Sequence, residues 1–275
     1  MPELPETETI ARDLDRAIAG RTIVAATVTR PDVLREVTAT QLVESTVGTT
    51  IVRSWRRAKL VVLDLSTGDR LVVQPRFTGG VLVDAGQLDE REHRFVRITF
   101  DLDDGRRLHY RDIRCLGTVA LMAPERFAAY AGALGTEPLD PAFSAAHLSE
   151  LVRGSRQAVK KLLMDQRRLV GVGIIYANEA LWRARIHPGR PGGSLSAAEV
   201  ERLRDAIVGV LEESISLRGT SFRDYVDGRG ERGAFVERLA AYGRGGEPCL
   251  RCGGPLASTH EIHGRQTVFC PHCQT

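Results

Sequence analysis

Apolar positions near helical spacing, Ile10, Leu14, Ala17 and Ile18, predict a helix over residues 6–18 that Gly20 ends. The pattern then shortens to β-rich runs at 22–29, 50–55, 60–65, 70–74, 80–83, 95–100 and 107–110. Turn sequences such as Ser66-Thr67-Gly68-Asp69 and Asp103-Asp104-Gly105 separate them, which predicts a β-sandwich. Residues 124–142 read as a linker. From Ala145 the helical period returns, over 145–164, 174–185, 197–217 and 235–241, with a break at Ile186-His187-Pro188-Gly189. The expected fold class is α+β and multidomain: a β-sandwich with a leading helix at 1–125, a linker at 126–144, a helical domain at 145–246 and a terminal module at 247–275. Asp227 to Gly233 carries three glycines and no apolar anchor, and reads as a mobile loop.

The terminal module has its own chemistry. Cys249 and Cys252 form one C-x2-C pair, and Cys270 and Cys273 a second, with 17 residues between them, the spacing of a four-thiolate zinc ribbon. One structural Zn2+ with no open position is expected. Two disulfides are the alternative; the absence of a secretory signal and the presence of only one other cysteine, Cys115, weigh against them. So short a module cannot hold itself together by a core of its own.

Composition adds limits rather than answers. At 275 residues, 43% hydrophobic and 27% charged, the chain reads as an ordinary cytoplasmic protein of about two domains, with no apolar run long enough to span a membrane. The net charge of +3 permits a polyanionic partner without demanding one, and the basic residues cluster at 53–59, 106–114, 153–168 and 218–251. Arg156 and Lys160, at the start of the helical domain, read as facing backbone phosphates, with a solvated helix face as the competing reading.

The chain opens Met1-Pro2-Glu3-Leu4-Pro5-Glu6. Removing Met1 would leave Pro2 with a free secondary amine, which titrates at about pH 7.7–8.0 and is a nucleophile. Its bond to a sugar aldehyde carbon gives an iminium without loss of a further proton. Glu3 stands next to it as a candidate proton shuttle.

With the opening residues, Arg56-Arg57-Ala58-Lys59, Leu169-Val170-Gly171-Val172-Gly173, Ile175-Tyr176-Ala177, Tyr242-Gly243-Arg244 and the four cysteines follow in the order seen in formamidopyrimidine-DNA glycosylases. The sequence resembles the formamidopyrimidine-DNA glycosylase and endonuclease VIII family from residue 2 to residue 274, closer to the first branch. The resemblance implies a helix-two-turn-helix DNA-binding domain and a bifunctional base excision repair enzyme acting on double-stranded DNA with a damaged base or abasic site. Pro2 would attack C1', Glu3 would move protons, and the same intermediate would allow β- then δ-elimination. Lys59 resembles the family lysine that holds a phosphate near the lesion. A flipped nucleotide leaves a hole that side chains must fill; by motif position the fillers are Phe77, Arg114 and Leu116, for which plain core packing is the competing reading of the two apolar ones. Arg265 matches a hairpin arginine that grips phosphates, and His93 a DNA-contacting histidine.

The sequence also departs from the family pattern. Ile174 stands where an asparagine that contacts phosphate is usual, Ile113 and Cys115 replace a proline and an arginine, and Phe77 and Leu116 replace a methionine and a phenylalanine. Oxidised purines, 8-oxoguanine and formamidopyrimidines, are the default substrates that the resemblance implies. Oxidised or 5-substituted pyrimidines such as 5-hydroxymethyluracil are the alternative. A catalytically inactive damaged-DNA-binding protein is a further reading, against which the intact Pro2, Glu3 and Lys59 argue; a zinc-ribbon module behind an unrelated enzyme conflicts with motifs that span the chain. A monomer, nucleoid-associated when bound to DNA, is expected.

Overall fold

The computed structural model describes residues 2–86, 88–262 and 264–275. They divide into two compact units, Met1–Gly132 with Leu217–Ala234, and Ala133–Ser216 with Phe235–Thr275.

The first unit begins with helix α1, Leu4–Ile18, which turns its apolar stripe of Leu4, Ile10, Leu14 and Ile18 inward. Gly20 follows at a φ of 82°, where a side chain would be strained. The strands are β1 (Ile23–Val28), β2 (Leu34–Arg35), β3 (Ile51–Arg57), β4 (Leu60–Leu65), β5 (Arg70–Gln74), β6 (Gly79–Asp84), β7 (Val96–Leu102), β8 (Arg107–Asp112) and β9 (Thr118–Met122). They form a four-stranded sheet in the order β1-β7-β8-β6 and a five-stranded one in the order β2-β9-β5-β4-β3. Ile98, Phe100, Leu108 and Tyr110 of the first sheet share one core with Val61, Leu63, Leu71 and Val73 of the second, and with Ile10, Leu14 and Ile18 of α1. This is the expected sandwich with its leading helix. Three short helices complete the unit: α2 (Ala39–Thr46), α3 (Glu90–His93) and α4 (Pro124–Gly132), the last spanning the start of the segment read as a linker.

Residues 217–234, inside the stretch read as the helical domain, cluster with this unit. The expectation of a loop without an anchor at 227–233 is corrected. Asp227 is fully buried, its Oδ1 accepts the N–H groups of Arg229 and Glu231 at 2.8 and 3.0 Å, and Val83 N–H donates to the Gly228 carbonyl at 3.1 Å. The anchor is polar, which an apolar pattern does not reveal.

The second unit contains α5 (Ala145–Val152), α6 (Val159–Leu163), α7 (Ile174–Ala184), α8 (Ala197–Ser216) and a hairpin of β10 (Ala257–Thr259) with β11 (Thr267–Phe269). The single helix read over 145–164 is two, interrupted at Gly154 with φ of 62°. The helix read over 235–241 is one 3-10 turn, Phe235–Arg238. There the carboxylate of buried Glu179 accepts the N–H groups of Ala240, Ala241 and Tyr242 at 2.8–2.9 Å, taking the donors that a longer helix would use. Among the described residues no helix is long and apolar enough to cross a membrane.

Candidate functional site

In the first unit Pro2 and Glu3 are buried at the start of α1. The Glu3 N–H donates to Glu6 Oε2 at 2.8 Å, and Glu6 Oε1 accepts the Thr220 N–H at 2.8 Å. Glu6 is thus a buried clamp between the chain start and the segment 217–234, and Gly219, at φ of 85°, has Glu6 atoms 3.0 Å from where a Cβ would lie. Lys59 is half-buried at the tip of the β3–β4 hairpin, a two-residue connection in which Ala58 takes a left-handed φ of 55°. Arg56 fixes this tip. Its Nε donates to Glu8 Oε2 in the early turns of α1 at 2.7 Å, and its Nη1 donates to the Ala58 carbonyl at 3.0 Å. The hairpin that carries Lys59 is therefore bonded to the helix that follows Pro2 and Glu3.

Phe77 and Leu116 are 47% and 39% exposed, so core packing does not account for either. The Arg114 guanidinium lies 5.1 Å from the centre of the Phe77 ring, close enough for a cation–π contact. The loops that carry them are held by Asp112, whose buried carboxylate accepts from the hydroxyls of Thr78 (2.6 Å) and Tyr110 (3.0 Å) and from the N–H groups of Arg114 (3.1 Å) and Gly117 (2.8 Å). Burial, and then the Asp112 charge, push the Tyr110 phenol well above its ordinary range. Gly117 is required there, because a Cβ would meet Tyr110 Oη at 2.3 Å and the carbonyls of Gln74 and Pro75 at 2.7 Å. A rigid, buried, hydrogen-bonded base thus presents an apolar and cationic tip. His93 ends α3, exposed, with its ring edge-on to that of buried His109 at 5.7 Å between centroids.

In the second unit Arg156 is exposed in the turn between α5 and α6. The reading of Lys160 as a residue facing phosphates is corrected: it is fully buried, and its ammonium donates to the Gln266 carbonyl and Thr267 Oγ1, both at 2.8 Å, with Asn178 Oδ1 at 3.4 Å. A buried ammonium must find such acceptors, and the hairpin supplies them. Asn178 Oδ1 also accepts the Val268 N–H at 2.8 Å, so α6 and α7 together hold β11. Arg265 is exposed in the loop between β10 and β11. Ile174 is the first residue of α7, directly after Gly173.

The four thiols of Cys249, Cys252, Cys270 and Cys273 lie within 4.8 Å of one another, and those of Cys252 and Cys270 are 3.5 Å apart. A tetrahedral zinc with bonds of about 2.3 Å spaces its sulfurs about 3.8 Å apart, so the set fits one ion. Burial pushes the Cys249 thiol up, but the N–H groups of Arg251 and Cys252 aimed at its sulfur outweigh that and bring it down to about 6. This is a structural zinc centre with four protein ligands and no open position.

Three family models match the chain: the formamidopyrimidine-DNA glycosylase N-terminal domain over residues 1–119, the formamidopyrimidine-DNA glycosylase H2TH domain over 134–226 and the zinc finger found in FPG and IleRS over 246–275. The formamidopyrimidine-DNA glycosylase of Heliobacterium modesticaldum is 42% identical over the full length of both chains. The chain belongs to the formamidopyrimidine-DNA glycosylase family. Among solved structures, a complex of a Lactococcus lactis Fpg mutant with Fapy-dG DNA has a TM-score of 0.91 at 31% identity, covering 100% of both chains. A complex of wild-type Lactococcus lactis Fpg with DNA containing an oxidised pyrimidine has a TM-score of 0.90 at 30% identity, again over 100% of both.

In this chain the residues without a signature in the sequence are the organisers. Glu6, Asp112, Asn178, Glu179 and Arg218 were not singled out, because each acts through partners remote in sequence or through backbone groups. A buried acidic residue inside an otherwise apolar helix, as Glu179 is in Tyr176-Ala177-Asn178-Glu179-Ala180-Leu181, was the available signal.

Proposed function

We propose that the protein is a bifunctional DNA glycosylase and abasic-site lyase of base excision repair, in which the Pro2 amine attacks C1' of a damaged nucleotide. The damaged base leaves as the C1'–N bond breaks, the proline nitrogen gives up its proton, and the C1'–O4' bond then opens with protonation of O4', leaving an iminium between the proline nitrogen and C1'. Glu3 moves the proton at the sugar or the departing base. The iminium acidifies the C2' proton, whose loss expels the 3' phosphate by β-elimination, and δ-elimination then releases the 5' phosphate. Lys59 holds a phosphate beside the lesion. Phe77, Arg114 and Leu116 fill the gap left by the extruded nucleotide, at an unstacking cost of a few kcal/mol. Arg265 and Arg156 contact phosphates and His93 contacts DNA, while Lys160 serves the hairpin beneath Arg265.

One observation carries the reading. The Arg56 bond to Glu8 ties the hairpin of Lys59 to the helix that starts behind Pro2 and Glu3, uniting a nucleophile, a proton carrier and an anion holder in one unit. The working division is a catalytic part at 1–125 to which residues 217–234 add, a linker at 126–144, the remainder of 145–246 as a helix-two-turn-helix part and a ribbon at 247–275, working as a monomer in the cytoplasm on the nucleoid. Oxidised purines are the favoured substrates, in line with the Fapy-dG complex of the Lactococcus lactis protein. Oxidised pyrimidines are the second choice, supported by the matching complex with an oxidised pyrimidine and by the aromatic Phe77. Single-lesion duplexes carrying 8-oxoguanine, formamidopyrimidine or 5-hydroxymethyluracil test this. Release of the purine lesions at the highest rate is expected, and release of none of the three bases would refute the glycosylase reading.

A further inference from the structure

The segment 217–234 forms a strap closed at its base: the Ala234 N–H donates to the Leu217 carbonyl at 2.8 Å, and the Gly233 N–H to Ser221 Oγ at 2.9 Å. Gly233 permits the crossing, since a Cβ there would lie 2.3 Å from the carbonyls of Arg218 and Gly219. Two guanidinium groups of the strap reach α1, and that of Arg218 makes the short hydrogen bonds. Arg218 Nε donates to Asp227 Oδ2 at 2.6 Å and its Nη2 donates to Asp13 Oδ2 at 2.5 Å. Both carboxylates are buried, with side chains 0% and 2% exposed, whereas Arg218 is 29% exposed. Arg229 Nε lies 3.4 Å from Asp13 Oδ1.

Arg218 supplies the short contacts to both buried carboxylates, while Asp13 Oδ1 has only the longer contacts to Arg229 at 3.4 Å and Arg16 at 3.6 Å. Without the Arg218 guanidinium, Asp227 and Asp13 would each lose a charged hydrogen bond while remaining buried near one another, which weakens the hold of the strap on the helix. Arg218 is also only two residues before Thr220, whose N–H reaches Glu6, and Glu6 in turn holds the Glu3 N–H. Tyr225 reinforces the path, its hydroxyl donating to the Arg218 carbonyl at 3.1 Å.

We propose that Arg218 is a positioning residue for base release: its ion triad with Asp13 and Asp227 sets the strap against α1, so that Glu6 is fixed between Thr220 and the backbone of Glu3. The inference rests on the glycosylase reading above and deepens it. A ready-made abasic site has no departing base for Glu3 to protonate, so the triad, which reaches Glu3 through Glu6, acts on excision of a base and not on cleavage at an abasic site.

The test compares wild type, Arg218→Gln, Arg218→Lys and Asp227→Asn in single-turnover assays on an 8-oxoguanine duplex and on an abasic-site duplex. Displacement of a reacting group by an ångström costs up to about 100-fold, so Arg218→Gln should slow base release by about tenfold or more while abasic-site cleavage stays within about twofold. Arg218→Lys, which keeps the charge without the fork, should recover part of the loss. Asp227→Asn retains an oxygen for Arg229 and Glu231 and keeps the test open should the arginine variants fail to fold. Equal losses in both assays, or unchanged base release, would overturn the proposal. Trypsin cleavage after Arg223, Arg229 or Arg232 gives a readout independent of activity. It should accelerate in Arg218→Gln, and should wild type release no base, the functional reading fails while this cleavage still decides whether Arg218 holds the strap.

Discussion

Arg56 and Glu8 meet at 2.7 Å between a strand and a helix 48 positions apart in sequence, with the arginine side chain only 8% exposed. Because the same guanidinium caps the Ala58 carbonyl, the pair decides where Lys59 stands relative to α1. Arg56→Gln should therefore reduce strand cleavage by about 10-fold to 100-fold, as expected when a catalytic group is displaced by about an ångström. Circular dichroism and the thermal midpoint check that the sandwich persists. A normal cleavage rate would mean that Lys59 is placed by other contacts.

The base and the tip of the Phe77 and Arg114 loops should respond in opposite ways. Asp112→Ala strands two hydroxyls and the Gly117 N–H in the interior, leaves the Arg114 N–H only Thr78 Oγ1, and should cost about 3 kcal/mol or more in urea unfolding. Phe77→Ala and Leu116→Ala remove exposed groups and should stay within about 0.5 kcal/mol of wild type, while slowing base release from duplex DNA. Large stability losses at Phe77 or Leu116 would instead mark them as core residues.

Lys160→Met separates a structural lysine from a phosphate contact. The variant leaves the Gln266 carbonyl without its buried donor and should destabilise the second unit by about 1–3 kcal/mol. Its salt dependence of DNA binding should keep the wild-type slope, whereas Arg265→Ala should flatten that slope by about one unit with zinc content unchanged. A flattened slope with unchanged stability in Lys160→Met would restore the phosphate contact.

These cases show what could be read from the chain. The alternating strands and the stripe of α1 were legible because half-buried elements write their period into the sequence. Strand β9, Thr118–Met122, was not, since its run Val119-Ala120-Leu121-Met122 is apolar throughout and shows no alternation. Helix α2 also escaped notice, although Thr38 caps it through a bond from the Gln41 N–H at 3.2 Å. Pro2, Glu3, the zinc cysteines and the hairpin position of Lys59 were legible because their chemistry or spacing is local. Glu6, Asp112 and Arg218 were not, because a carboxylate that binds N–H groups over 200 residues away, as Glu6 does at Thr220, has no signature in its own neighbourhood. Lys160 was misread for the same reason: its acceptors lie 106 and 107 positions on.

His109 should make stability depend on pH. Burial holds its imidazole below the ordinary value, with the Asp84 carboxylate 3.6 Å away only partly offsetting this. The unfolded chain then binds a proton that the fold refuses, so stability is complete above about pH 6.5 and falls as the pH drops from there towards the lowered folded value. Thermal midpoints at about pH 7.5 and 5.5 should differ more in wild type than in His109→Gln. Equal differences would assign the loss to other groups.

The most direct test of the central claim is borohydride trapping on abasic-site DNA with two preparations of the protein, one beginning at Pro2 and one that retains Met1 or carries an N-terminal tag. The processed protein should give a covalent adduct whose linkage mass spectrometry assigns to the Pro2 nitrogen, and the blocked protein should give none. Equal trapping by both preparations, or an adduct on Lys59, would contradict the assignment of the nucleophile.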